Sequence, residues 1–221
     1  MSQRRFTSRY VTPKGPEAQW QPGSHGRVLR NLLGIRRKTE MDHVELDAMV
    51  RAQTKYLARI GPDTRLTASL LCQMHRGWLG DIYEWAGRYR TVELAKAGFQ
   101  WPPAFRVPAN MESFEKATLG RCTPCLPGPL VEVAGRVARV HADLLLIYPF
   151  RDGNGRLARW VADLMALQAG LPAPDYAFIG RGAKASRAAY LDAVRSGYLA
   201  DYDPLEVFFV AALRRRLGQR P

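Results

Sequence analysis

A mainly helical single domain with one small β element is the fold class this sequence predicts, and three observations carry it. Apolar residues recur at helical spacing over most of residues 42–217. The helix breakers Gly87, Gly98, Pro102, Pro103 and Pro108 all fall in one stretch between Ala86 and Asn110. With 221 residues, 47% of them hydrophobic and 24% charged, the chain has an ordinary globular composition and enough length to bury a core without disulfide or metal staples.

Residues 1–26 are rich in Pro, Gly, Ser, Gln and Arg and lack periodicity, so an irregular basic arm is expected over 1–38, a domain over 39–217 and a short tail over 218–221. From about Asp42, the residues Val44, Leu46, Met49, Val50, Gln53, Tyr56 and Leu57 approximate an apolar helix face, which Gly61-Pro62-Asp63 ends. A second helix over about Thr67–Glu84 sets Leu70, Leu71, Met74, Trp78, Ile82 and Trp85 near one core-facing stripe. Tyr89–Leu94 is β-prone, Ala95–Gly98 can turn and Phe99–Trp101 can return, which predicts a hairpin over 89–101. A lone hairpin is marginal in water, so it must lie on the helices. Another helix begins near Asn110, and Cys122–Pro129 is loop. Leu130–Ile147 reads as a long buried helix with Val133, Val137, Val140, Leu144 and Ile147 inward. Gly155–Gly170 is the next, with Leu157, Trp160, Val161, Leu164, Met165 and Leu167 apolar; two more cover about Lys184–Tyr198 and Pro204–Leu217.

Several function classes drop out. No window holds the roughly 20 unbroken apolar residues of a membrane span, and Met1–Phe6 is not followed by the apolar stretch of a secretory signal. The expected location is cytoplasmic, in the cell of origin or in a second cell that receives the protein, with no membrane partner. Cys122 and Cys125 form one CxxC and Cys72 stands alone; without a second pair these read as reduced bystander thiols rather than a zinc site. The formal charge of +13 is concentrated at the ends. Residues 1–38 carry nine basic residues against Glu17 alone, and residues 211–221 carry Arg214, Arg215, Arg216 and Arg220 with no acid. The body is nearly neutral. Basic ends and an aromatic such as Trp20 raise nucleic acid as a partner, but no helix-turn-helix or zinc-finger pattern is present, and Gly180–Ser186 lacks the P-loop spacing, so nucleic acid is the disfavoured partner.

The chemistry lies between the two buried helices, in Tyr148-Pro149-Phe150-Arg151-Asp152-Gly153-Asn154-Gly155-Arg156-Leu157-Ala158-Arg159. Pro149 ends the preceding helix. Gly153, Asn154 and Gly155 tolerate unusual backbone angles, so successive amides can converge as an anion nest. A helix follows at once and adds its orphan amides and the positive end of its dipole. Arg156 and Arg159 are three apart, share a face and can fork around phosphate oxygens. A carboxylate beside bound phosphates, here Asp152, is where Mg²⁺ would bridge protein and nucleotide. A tight turn with a helix cap would need one Gly, not two Gly, an Asn, an Asp and two Arg within eight residues.

The stretch Phe150-x-Asp152-Gly153-Asn154-Gly155-Arg156-x-x-Arg159 resembles the signature of the Fic/Doc (Fido) family, His-x-Phe-x-Asp/Glu-Gly-Asn-Gly-Arg-x-x-Arg. Gly80–Val92 is similar to the segment that leads into that family's target-docking flap, and the resemblance covers roughly residues 40–215. It implies an all-α Fic-type domain with a β-hairpin flap that transfers AMP from ATP to a hydroxyl of a target protein. By the same resemblance Asp152 would hold Mg²⁺, and Gly153, Asn154 and Gly155 would cradle the α- and β-phosphates. Arg156 and Arg159 would bind the distal phosphates, and Phe150 would anchor the loop. The flap residues Leu94, Ala95, Lys96, Ala97, Gly98 and Phe99 would hold the target segment as an added β-strand. The family's inhibitory Ser/Thr-x-x-x-Glu-Gly/Asn motif is not matched: Thr39 is followed by His43 and Ser186 by Tyr190 at the Glu position, so control by a separate small antitoxin-like chain, or another form of control, is expected.

One position departs from the signature. Where it has His, the general base, this chain has Tyr148. Imidazole, with a pKa near 6.5, accepts a proton at neutral pH; a phenol with a pKa near 10 mostly does not. A nucleotide site is therefore expected with impaired transfer. Tyr148 is compatible with a natural pseudoenzyme, with an inactivated version of a toxic enzyme, and with weak or altered transfer. His141 lies two turns upstream, about 10 Å away along the helix, and is expected to be a helix histidine with a hydrogen-bond partner.

Overall fold

The computed structural model describes residues 16–96, 98–180 and 182–218. Among them the helices are α1 (Lys38–Leu57), α2 (Ala68–Leu79), α3 (Val107–Phe114), the single turn α4 (Gly120–Cys122), α5 (Leu130–Ile147), α6 (Asn154–Gln168), α7 (Ala183–Gly197) and α8 (Asp203–Arg216). Two short strands, β1 (Ala95–Lys96) and β2 (Phe99–Gln100), pair antiparallel with Ala95 opposite Gln100 and Lys96 opposite Phe99. The all-α class with a small hairpin is thus the observed fold.

Helix α5 is the centre of the domain and packs against α3, α6, α7 and α8. Its sequence explains this: Val133, Val137, Val140, Leu144 and Ile147 are all buried, as their spacing predicts, and small residues Ala134, Ala138 and Ala142 let neighbouring helices approach closely. Helix α6 returns antiparallel against it with Leu157, Trp160, Val161, Leu164 and Met165 buried. Leu167, predicted with that set, instead stands on the outer side, 43% exposed.

Four differences from the sequence expectation have local causes. The buried face of α1 is Met41, Glu45, Ala48, Met49, Ala52 and Tyr56, whereas Leu46, Val50 and Leu57 are more than half exposed. The helix is turned so that the carboxylate of Glu45 can face inward, where the Tyr83 hydroxyl donates to its Oε1 at 2.6 Å. Helix α2 stops at Leu79 rather than near Glu84. A run of turns then carries the chain to Gly87 (φ +77°), where a Cβ would lie 2.5 Å from the Cβ of Arg76 and only glycine fits. The hairpin is confined to the four strand residues, with one further bond from the Trp101 amide to the Leu94 carbonyl. The segment upstream of Leu94 does not extend it; there the Arg90 amide donates to the Pro149 carbonyl at 2.8 Å, so residues 89–93 lie along the motif loop. Helix α3 begins three residues earlier than expected, because Pro108 fits the first turn of a helix, where no amide is needed.

Residues 16–37 lie on the body. Val28 and Leu29 are buried, Trp20 and Leu29 form an antiparallel bridge, and the Leu32 amide donates to the Ile82 carbonyl at 2.9 Å. Among the described residues no helix is long and apolar enough to cross a membrane.

Candidate functional site

The site forms where α5 ends and α6 begins. Tyr148 terminates α5 in the left-handed region (φ 53°, ψ 60°), a conformation in which the chain leaves the helix sharply and which bulky residues seldom adopt. Its ring stacks on Trp101 at 4.0 Å between centroids, and its carbonyl accepts from Arg90 Nε at 2.8 Å. Two residues on, Phe150 is fully buried and stacks on the His75 ring at 3.9 Å, nearly parallel. Asn154 closes the loop on Phe150 from both sides: its Oδ1 accepts from the Phe150 amide at 2.9 Å and its Nδ2 donates to the Phe150 carbonyl at 2.7 Å. The Asn154 side chain is thereby committed to the shape of the loop.

Gly153 stands before α6 with φ +85°, and a Cβ there would sit 2.8 Å from Trp78 Cζ3. Both the angle and the close approach require glycine. The first intrahelical bond runs from the Leu157 amide to the Gly153 carbonyl, so the amides of Asn154, Gly155 and Arg156 have no carbonyl of a preceding turn to meet. They form the positive end of a fifteen-residue helix. Asp152 flanks them with its side chain 45% exposed and its Oδ1 accepting from the Gly153 amide at 2.6 Å.

The two motif arginines are placed differently. Arg156 donates through Nη1 to Glu45 Oε2 at 2.5 Å, lies 4.5 Å over the Trp78 ring, and brings Nη2 to 3.9 Å from Asp152 Oδ1. These charges hold its guanidinium above its ordinary pKa against the opposing effect of burial. Arg159 forms no salt bridge among the described residues; it lies 5.7 Å from the Phe178 ring centre, and its charge opposes the upward push of burial on the Tyr190 pKa. Arg159 Nη1 lies over Gly155, where a Cβ would meet it at an ordinary contact distance of 3.7 Å. Tyr190 in turn bonds His141 Nε2 at 2.7 Å, and His141 Nδ1 meets the Ala158 carbonyl at 3.1 Å. Burial pushes the His141 pKa down to about 3, so it is a neutral structural residue with partners at both nitrogens.

The hairpin stands beside residue 148 through the Trp101–Tyr148 stack. Leu94 turns inward with Val92 and Trp101 to form a small cluster of its own, and Phe99 stacks on Tyr198 at 4.7 Å. Ala95, Lys96 and Gly98 complete the described part of the flap, and Ala97 lies outside the described residues.

Three residues were not singled out by sequence. Glu45 meets Arg156 from α1. Arg90, 2% exposed, donates to the Tyr148, Val92 and Pro102 carbonyls at 2.8, 2.9 and 2.6 Å and so ties the base of the flap to the motif. His75 reaches the loop from α2. The available signals were a carboxylate and an imidazole on otherwise apolar helix faces, since buried ionisable groups need partners.

Residues 65–166 match the family model described as Fic/DOC family. The chain is 27% identical over 143 residues to protein adenylyltransferase VbhT of Bartonella schoenbuchensis, covering 65% of this chain and 30% of that protein. It is 28% identical over 206 residues to a Salmonella typhimurium protein named probable protein adenylyltransferase Fic, covering 90% of this chain and 94% of that one. The chain therefore spans under a third of VbhT but nearly all of the Salmonella protein. Among solved structures it is similar to BepC of Bartonella tribocorum with bound AMPPNP, at a TM-score of 0.64 and 22% identity over 83% of this chain and 91% of that one; this likeness concerns the fold.

Proposed function

We propose that this chain binds ATP through residues 152–159 and is built as a protein adenylyltransferase whose turnover is held down by Tyr148. The observation that carries the nucleotide reading is the start of α6: amides 154–156 behind a left-handed Gly153, with Asp152 and Arg159 on either side. A helix start with free amides and adjacent cations is a site for phosphates. The names of VbhT and the Salmonella protein, and the AMPPNP held by BepC, support the same reading.

In the proposed reaction the target hydroxyl oxygen attacks the α-phosphorus, the bond to the β-phosphate oxygen breaks, and pyrophosphate leaves. The amides of 153–155 hold the α- and β-phosphates, and Arg159, with the remaining donors of Arg156, takes the charge that accumulates on the leaving group. Asp152 suits a metal that takes most of its shell from elsewhere. Its Oδ1 is engaged by Gly153, and among the described residues no group of three His, Cys, Asp or Glu side chains could hold a metal unaided. That donor set fits Mg²⁺, which is held by one or two carboxylates plus phosphate and water, and which would neutralise phosphate charge when bound. The flap residues Leu94–Phe99 would align the target segment through main-chain bonds. The hydroxyl proton must go to residue 148, and a phenol is a poor acceptor at neutral pH.

A domain over 39–217 with a basic arm over 1–38, a cytoplasmic setting in the cell of origin or a recipient cell, and inhibition by a separate antitoxin-like chain complete the proposal. The basic ends favour one alternative, a scaffold or nucleic-acid-binding pseudoenzyme. Salt-dependent DNA retention that persists after deletion of residues 1–38 would support it.

The test is thermal. At a hundredfold excess over Kd, ATP with Mg²⁺ is expected to stabilise the fold by about 2.7 kcal/mol, about 5–10 °C in Tm for a chain of this size. Asp152→Ala should keep a shift with ATP but lose its dependence on Mg²⁺. Because Asp152 also bonds the Gly153 amide, the shift rather than the absolute Tm is the readout. Equal shifts with and without Mg²⁺ in both proteins would contradict the placement of the metal.

A further inference from the structure

Resting on the nucleotide reading above, we propose that His75 is a positioning residue that sets the direction of the Asp152–Gly153 peptide and thereby the polarity of the phosphate cradle. The Gly87 amide donates to His75 Nδ1 at 2.8 Å. That nitrogen is therefore an acceptor, and the proton sits on Nε2, which donates to the Asp152 carbonyl at 3.0 Å. Burial depresses the His75 pKa to about 4, in keeping with a neutral ring of fixed tautomer. Phe150 stacks flat on the ring at 3.9 Å, with Trp78 edge-on and Trp85 tilted, each at 6.0 Å, so the ring is packed on several sides. A helix 77 residues away in sequence thus latches one carbonyl of the motif.

The latch has an electrostatic consequence. In a trans peptide the carbonyl and the following amide point in opposite directions. With the Asp152 carbonyl turned inward to His75, the Gly153 amide turns outward and meets Asp152 Oδ1. It stands beside the free amides of 154–156 on the anion side, with Asp152 Oδ1 as its acceptor in the unliganded protein. A half-turn of this one peptide, which glycine at 153 allows, would aim a carbonyl at the anion site instead. His75 opposes that flip twice over. The flip would leave Nε2–H buried without an acceptor, and it would remove a donor from the site.

Glutamine and asparagine separate the two bonds. The amide nitrogen of a glutamine side chain reaches about as far as Nε2, so His75→Gln keeps a donor to Asp152. His75→Asn reaches only the Nδ1 position and keeps an acceptor for Gly87. His75→Phe keeps the stack on Phe150 and neither bond. Calorimetric titration of the full chain with ATP and Mg²⁺ should find binding weakened about tenfold or more by His75→Phe and His75→Asn and within about threefold of wild type in His75→Gln, the scale typical of groups that orient a ligand-holding residue. A purely structural role would lower the Tm of the unliganded variants without this split between Gln and Asn. Equal affinities for Gln and Asn, or wild-type affinity in a folded His75→Phe protein, would overturn the inference while leaving the nucleotide reading standing. A wild type that fails to bind ATP would overturn both.

Discussion

Replacing Tyr148 with histidine is expected to raise transfer of label from α-labelled ATP to proteins of a cell lysate by about 10² or more, the scale of a positioned general base. The frame around the position is intact: Asn154 clamps the loop on Phe150, Gly153 starts α6, and Arg90 ties the flap to the residue-148 carbonyl through the backbone, independently of the side chain. The left-handed backbone at 148 suits histidine better than tyrosine. The smaller ring gives up part of the stack on Trp101, a cost of about 1 kcal/mol that a domain of this size tolerates. Phenylalanine at 148 is the control. If wild type labels strongly and Tyr148→Phe abolishes it, the phenol takes part in the chemistry and the impaired-enzyme reading falls.

Arg159→Ala should weaken ATP binding roughly ten- to hundredfold, because a charge-assisted hydrogen bond contributes about 1.5–3 kcal/mol, and should leave AMP binding nearly unchanged. Arg156→Ala is expected to behave differently. Its guanidinium already bonds Glu45, a buried carboxylate that also accepts from Tyr83. Removing it leaves Glu45 short of a cationic partner, so part of the loss should appear as a lower Tm without ligand. Comparing each variant's ATP and AMP affinities with its unliganded Tm separates the two roles. Similar losses for ATP and AMP in Arg159→Ala would mean that this arginine does not meet the distal phosphates.

Much of the fold was legible because α5 and α6 bury regular apolar stripes and the motif between them is local in sequence. Residues 150–159 carry their geometry in their own composition: a proline stop just ahead of them, a glycine whose Cβ would strike Trp78, and an asparagine that closes on Phe150 four residues back. The partners that give the site its rigidity were not legible, since Glu45–Arg156, His75–Asp152 and Arg90–Tyr148 are contacts between distant segments. The face of α1 differs from its sequence pattern for the same reason. A periodicity that counts carboxylates as outward cannot place Glu45 in the interior, and it sets Leu46, Val50 and Leu57 on the wrong side. Of the β-prone run Tyr89–Leu94, only Leu94 bonds across the hairpin, to Trp101, while Arg90 bonds the motif loop.

Amide hydrogen exchange of the full chain with and without ATP and Mg²⁺ reads directly whether phosphates seat on the start of α6. Marked slowing is expected at the amides of Gly153, Asn154, Gly155 and Arg156, which lack helical carbonyl partners in the free protein, and no comparable slowing at the glycine-rich stretch 180–186. Binding of ATP with those four amides unchanged, or with protection confined to another region, would contradict that seating.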